Sequence, residues 1–200
     1  MNKFTFDFSI YNELLKIINE KISQQSPLVL AIDGMCGSGK TTLAEYLSTI
    51  FDSSIIHMDN FFLPFERKTE TRLSEPGGNI DYERFQEIII PALQKKQPFS
   101  YMAYNCQNGT YDREIQIKQC DLIIVEGSYS LHQKFSSYYD LSLFLSVSPQ
   151  EQLHRLEMRC QDNAKFNRFK TEWIPMETIY HQAQNIKQRA DILIDTDILS

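Results

Sequence analysis

The chain is poor in several residue patterns that mark other protein classes. It has only four cysteines in 200 residues, Cys36, Cys106, Cys120 and Cys160. None forms a Cys-x-x-Cys pair, and no histidine completes a zinc-ligand spacing, which argues against a zinc module or a disulfide scaffold. Reduced cysteines and a cytoplasmic location are expected. No stretch approaches the roughly 20 apolar residues of a membrane span, and Met1 to Phe8 lacks an apolar signal core; no membrane partner is expected. Positive charge is also scarce. Twenty Lys and Arg face 26 Asp and Glu, a net charge of -6, so no nucleic-acid partner is expected, since such a partner needs a basic face. There is no internal repeat, low-complexity tract or linker, and no Asn-Lys-x-Asp run for reading guanine.

What is present is an ordinary globular balance, 42% hydrophobic and 23% charged, in a length that suits one domain. Ile10 to Ile22 has helical spacing, with Pro27 behind it. Leu28 to Ile32 is a short apolar run, read as a buried strand. Thr41 to Phe51 reads as a helix and Ser53 to Met58 as a strand. Tyr82 to Lys95 is helical in pattern. Pro98 to Ile117, with Asn108-Gly109, reads as a hairpin or insertion. Leu122 to Val125 and Leu141 to Val147 are further strands, Glu151 to Arg159 and Met176 to Gln188 further helices, and Asp191 to Ile194 a last strand. Buried strands alternating with helices imply an α/β fold with parallel pairing, in which ligands sit at the carboxyl ends of the strands.

Gly34-Met35-Cys36-Gly37-Ser38-Gly39-Lys40-Thr41 fits G-x-x-x-x-G-K-[ST], between a strand and a helix as that motif requires. Glycines let backbone N–H groups curl inward around phosphate oxygens, and the helix start adds its positive dipole end. Lys40 supplies a point charge for the outer phosphates, the Thr41 hydroxyl a ligand for Mg²⁺, and Thr42 a further backbone amide. ATP with Mg²⁺ is the expected pairing. A Gly-rich capping turn with an incidental lysine is the bland alternative.

Two carboxylates end strands beside this loop. Asp59 is a candidate general base for an attacking hydroxyl; the alternative is a helix cap or turn former. Glu126 is a candidate Mg²⁺ contact, or a solvated strand end. Arg155 and Arg159 lie four apart on one helix face and are candidates to stabilise a transferring phosphoryl group, or simply a solvated face. The polar stretch Gln161 to Lys170 is a candidate lid. Asp33 reads as structural. Phe61, Phe62 and Tyr104 are candidates to stack on a substrate ring, or core filling.

These residues together resemble the uridine kinase family of P-loop kinases, with relatives in phosphoribulokinase and bacterial pantothenate kinase, from about Leu28 to Ile194. Asp59-Asn60-Phe61-Phe62 is similar to the family's Asp-Ser-Phe-Tyr, whose aspartate is the catalytic base. Asn79-Ile80-Asp81 resembles its Asn-Phe-Asp, whose aspartate holds ribose hydroxyls. Glu126-Gly127 matches its Glu-Gly, and Gln152 to Arg159 its arginine-bearing helix. Where the family reads the base with Tyr-Asp-Phe and a following histidine and arginine, this chain has Tyr104-Asn105-Cys106, with Gly109 near the histidine position. The resemblance implies a three-layer α/β/α P-loop fold with a mainly parallel five-stranded sheet. It implies one kinase domain over 1–200, an acceptor-binding insertion at about 60–118 and a small lid at about 160–172. The implied activity is transfer of the ATP γ-phosphate to a hydroxyl, with Asp81, Tyr104, Phe62 and Arg155 on the acceptor. A nucleoside is the first expectation for that acceptor. Another hydroxylated metabolite, such as pantothenate or a sugar acid, is the second, and a non-catalytic nucleotide sensor the third. Oligomeric state is not readable from the chain.

Overall fold

Strand β1 (Leu28–Gly34) is buried along its whole length, because both of its faces are covered. In a computed structural model that describes residues 11–160 and 162–197, it is the middle strand of five. These are β2 (Ser53–His57), β5 (Leu122–Glu126), β1, β6 (Leu141–Ser146) and β7 (Ile192–Asp195), in that order and all parallel. Side chains alternate across a strand. Val29 and Ala31 therefore enter one core with Ile123 and Val125, while Leu28, Leu30 and Ile32 enter the other with Leu122 and Ile124.

Helices α1 (Asn12–Gln24) and α2 (Lys40–Ile50) cover the second face through Leu14, Ile18, Leu43 and Leu47. The first face is covered by a helix over 82–95 (α4), with Phe85, Ile89 and Leu93, and by Tyr180 and Ile186 from the C-terminal helices. This is the three-layer α/β/α arrangement expected. Ile10 lies outside the described residues, and α1 begins at Asn12.

Between β2 and α4 the chain forms short turns and α3 (Glu70–Ser74). After α4, β3 (Phe99–Asn105) and β4 (Thr110–Ile117) make a separate antiparallel hairpin around Asn108-Gly109. After β6, α5 (Pro149–Arg159) is capped by Ser148, whose side chain accepts from Glu151 N–H. A helix over 163–183 (α6) passes through a wide turn at Phe169–Trp173.

Two expectations need correcting. The single helix read over Met176 to Gln188 is broken, because Asn185 takes φ 50° and starts a new turn, α7 (Ile186–Arg189). The segment read as the polar stretch Gln161 to Lys170 (Gln161 itself lies outside the described residues) carries apolar side chains that pack on the protein. Phe169 is buried with Leu156 and Cys36, and Phe166 and Trp173 pack beside them.

Candidate functional site

The site is built where β1, β2 and β5 end. In the sheet register Glu126 pairs with both Ile32 and His57, so the glycine loop after β1, the turn after β2 and Glu126 start from neighbouring positions. Gly34 must be glycine: a Cβ there would lie 2.2 Å from the Leu145 carbonyl oxygen, at φ +145°. Gly39 precedes α2 in the left-handed conformation, with no side-chain cap. The first-turn amides of α2 are therefore left to face an anion.

Lys40 is buried and folds back over the loop. Its Nζ donates to the Gly34 carbonyl at 2.8 Å and to the Met35 carbonyl at 3.0 Å. Ser38 N–H turns inward to the Met35 carbonyl, and Cys36 N–H donates to Glu177. Thr41 Oγ1 donates to Glu126 Oε2 at 3.2 Å, while Glu126 Oε1 lies 2.5 Å from His57 Nδ1. The contact with Glu126 raises the His57 imidazole above its ordinary pKa, against the opposing effect of burial. Thr41 and Glu126 thus offer two hard oxygen donors side by side, the ligand type that suits Mg²⁺. Among the described residues no group of three or more His, Cys, Asp and Glu forms a ligand cage.

Asp59 sits in a tight turn (Met58–Phe61) directly after β2. Its place is fixed by its neighbours. Phe61 is fully buried and packs edge-on against Phe85, with ring centres 5.0 Å apart, a burial worth about 1.5–3 kcal/mol. The Asn60 side chain donates to the Tyr101 hydroxyl. Water reaches Asp59, yet protein atoms crowd its carboxyl and raise its pKa above the ordinary carboxylate value. The Glu126 charge adds to the rise, and Lys40 and His57 oppose it. Among the described residues its carboxylate has no hydrogen-bond or ion-pair partner.

The 59–62 turn is stitched to the segment carrying Asp81. Leu63 N–H donates to the Asn79 carbonyl, Asp81 N–H donates to the Phe61 carbonyl, and Phe62 bridges Ile80. Asp81 is buried. Its Oδ1 meets Arg67 Nη1 at 2.7 Å and accepts from Arg84 N–H at the start of α4. Tyr104, on the hairpin, is buried beside Tyr111, and the hairpin tip at Gly109 faces Phe65 and the Tyr104 hydroxyl. Phe62 is partly buried against the core.

The two arginines part company. Arg155 is committed to the protein. Its Nε donates to Glu151, its Nη1 to Thr196 Oγ1 and, at 3.5 Å, to the Gly37 carbonyl, and its Nη2 to the Thr196 carbonyl. In this conformation it straps the loop backbone to Thr196. Arg159 is exposed and lies over the Phe169 ring.

Asp33 is structural. It accepts from Gly34 N–H, Leu131 N–H and the Tyr180 hydroxyl. Burial alone would raise its pKa, but His181 and those amides outweigh burial and hold it below the usual value. Burial, with Glu177 beside it, pushes the Cys36 thiol up to about 12, so Cys36 packs as a neutral thiol. Sequence reasoning missed three side chains here: His57, Gln152 and Glu177. His57 was readable as the residue before the Met58-Asp59 turn. Gln152 and Glu177 lie far from the loop in sequence and carried no local signal.

No family model matches the chain. It is 26% identical over 164 residues to a uridine kinase of Ureaplasma parvum, covering 76% of this chain and 79% of that one. It is 25% identical over 188 residues to a uridine kinase of Streptococcus agalactiae, covering 86% and 88%. A 28% match to uridine-cytidine kinase C of Dictyostelium discoideum covers 63% of this chain but only 28% of that longer protein. Among solved structures, a possible uridine kinase from Bacillus stearothermophilus superposes with a TM-score of 0.65 at 22% identity, over 92% of this chain and all of that one. The chain is thus similar to uridine kinases in sequence and shares the fold of the solved kinase. A D-glycerate 3-kinase from Cryptococcus neoformans shares the fold, with a TM-score of 0.59 at 12% identity over 86% and 88% of the two chains.

Proposed function

We propose that the protein transfers the γ-phosphoryl group of ATP to a hydroxyl of a nucleoside, with Asp59 as the general base. The observation that carries the proposal is the state of Asp59. It is a carboxylate without a protein partner, beside Lys40 and Glu126, in a site where the other carboxylates, Asp33, Asp81, Glu126 and Glu177, are all engaged. The relatives named as uridine kinases support the nucleoside as acceptor class.

On this reading the loop from Gly34 to Thr42 holds the phosphates. Thr41 and Glu126 would hold Mg²⁺, which would offset phosphate charge. The acceptor hydroxyl lies against Asp59, oriented by Asp81, with Phe62 and Tyr104 lining the acceptor side. As the hydroxyl oxygen attacks the γ-phosphorus, Asp59 takes its proton. A new O–P bond forms and the bond to the bridging oxygen of ADP breaks. Lys40 faces the developing charge, and Arg159 reaches it if the segment at about 160–172 closes as a lid. Residues at about 60–118 form the acceptor-binding part of the kinase domain. The four free cysteines suit a reducing cytoplasm.

The test is direct. Purified protein is incubated with labelled ATP, Mg²⁺ and a panel of nucleosides, with sugar acids and pantothenate as comparators. Labelled nucleoside monophosphate is the expected product. Label transferred only to a sugar acid or to pantothenate would overturn the acceptor class, and ATP binding without any labelled product would overturn the kinase reading.

A further inference from the structure

Glu177 is a buried carboxylate on α6, 7% exposed, that the chemistry above does not use. One oxygen accepts from Cys36 N–H at 2.8 Å, within the glycine loop. The other accepts from Ser128 Oγ at 2.6 Å, and that hydroxyl lies 3.4 Å from the Gly34 carbonyl. Gln152, 1% exposed on α5, holds the same loop residue from its other end: its Nε2 donates to the Cys36 carbonyl at 2.9 Å. Gln152 precedes the 160–172 segment in the chain and Glu177 follows it. Phe169, from within that segment, packs against Cys36 and Leu156.

A carboxylate beside a phosphate-binding loop repels the ligand that the loop is built for. Its burial there needs a compensating role, and hydrogen bonding to the loop backbone supplies one. A charge-assisted bond from a backbone amide is shorter and stronger than a neutral one. Cys36 N–H is taken by Glu177 and Ser38 N–H by the Met35 carbonyl, so these two bonds hold the shape of the loop backbone.

We propose that Glu177 is a positioning residue that presets the phosphate-binding loop for ATP by clamping Cys36, with Gln152 as the opposing jaw. The inference rests on the reading of this loop as the ATP site. The clamp fixes loop shape before the ligand arrives, so that binding does not spend energy on ordering it. Because both jaws flank the 160–172 segment, loop geometry and the position of that segment are tied together through α5 and α6.

The test compares Glu177→Ala, Glu177→Gln and Ser128→Ala in the full chain. Binding of ATP is measured by calorimetry without acceptor, and KM for each substrate and kcat are measured with acceptor. Glutamine keeps an acceptor for Cys36 N–H and a donor for Ser128 Oγ. The expected result is that Glu177→Ala weakens ATP binding about tenfold or more, the scale of a lost charge-assisted hydrogen bond. Acceptor KM stays within about twofold, Glu177→Gln restores most of the ATP affinity, and Ser128→Ala falls between. If Glu177→Ala does not fold, Glu177→Gln and Ser128→Ala still report, since wild-type ATP affinity in Ser128→Ala would contradict the clamp. Unchanged ATP affinity in a folded Glu177→Ala, or a Glu177→Gln as weak as alanine, would overturn the proposal while leaving the kinase reading intact. Absence of ATP binding by the wild-type protein would instead overturn the kinase reading itself.

Discussion

His57 Nδ1 and Glu126 Oε1 lie 2.5 Å apart, on residues that face each other in the register of β2 and β5. The pairing holds Glu126 so that its second oxygen meets Thr41. It also fixes a sign for pH. The His57 pKa is raised in the folded protein by this contact, so its contribution to stability is complete below the unfolded histidine value of about 6.5. That contribution is lost as pH rises through the higher folded value. The prediction is that wild type exceeds His57→Ala in stability by more at pH 6 than at pH 9, read by urea denaturation. A gap that widens toward pH 9 would contradict it.

Asp81 has two jobs that one substitution separates. It caps α4 through Arg84 N–H and pairs with Arg67. Asparagine is as good a cap as aspartate, but it cannot carry the charge. Asp81→Asn should therefore keep the α4 cap and lose only the modest stability of the ion pair with half-exposed Arg67, while the acceptor KM rises about tenfold or more, the scale of a lost charged hydrogen bond to substrate. Affinity for ATP should not change. A normal acceptor KM in this variant would remove Asp81 from the acceptor site.

The two arginines of α5 should behave differently. Arg155 spends its guanidinium on Glu151, Thr196 and the Gly37 carbonyl, and its side chain is mostly buried. Arg155→Ala should lower stability by about 1–3 kcal/mol, because it leaves those groups unpaired. Arg159 is exposed, and Arg159→Ala should stay within about 0.5 kcal/mol of wild type. If lid closure brings Arg159 to the phosphoryl group, its loss should appear in kcat instead. Denaturant titration together with steady-state kinetics on both variants checks this. Equal stability of the two variants would contradict the strap.

The parts of the site that could be read from sequence are those whose signal is local. The glycine loop needs φ values and close approaches that only glycine tolerates, as Gly34 against Leu145 demonstrates, and that requirement is written in adjacent residues. The strands β1, β5 and β6 are buried on both faces and so appear as apolar runs. What could not be read is long-range. Glu177 lies 141 positions from Cys36, and nothing in Pro175-Met176-Glu177 marks it as a loop contact. The same holds for Arg155, whose spacing from Arg159 suggested one shared role. Its partner Thr196 directly follows β7, 41 positions further on, and only the folded chain brings the two together. The break at Asn185 was hidden because asparagine enters the left-handed region without a glycine to announce it.

The acidity of Asp59 gives a profile that the wild-type enzyme should show. A base must be ionised to accept a proton. Crowding by protein and the charge of Glu126 raise its pKa above the ordinary value of 3.8. The acidic limb of the kcat/KM profile should therefore have its midpoint above that value, with activity lost as pH falls through it.

The account turns most directly on turnover by Asp59→Asn, measured beside its affinity for ATP. Asparagine fills the same volume but cannot accept the hydroxyl proton. The predicted result is ATP binding close to wild type, with kcat reduced by a factor on the order of a hundred or more. A variant that turns over at the wild-type rate, with the acidic limb of its profile unmoved, would contradict the assignment of the proton acceptor.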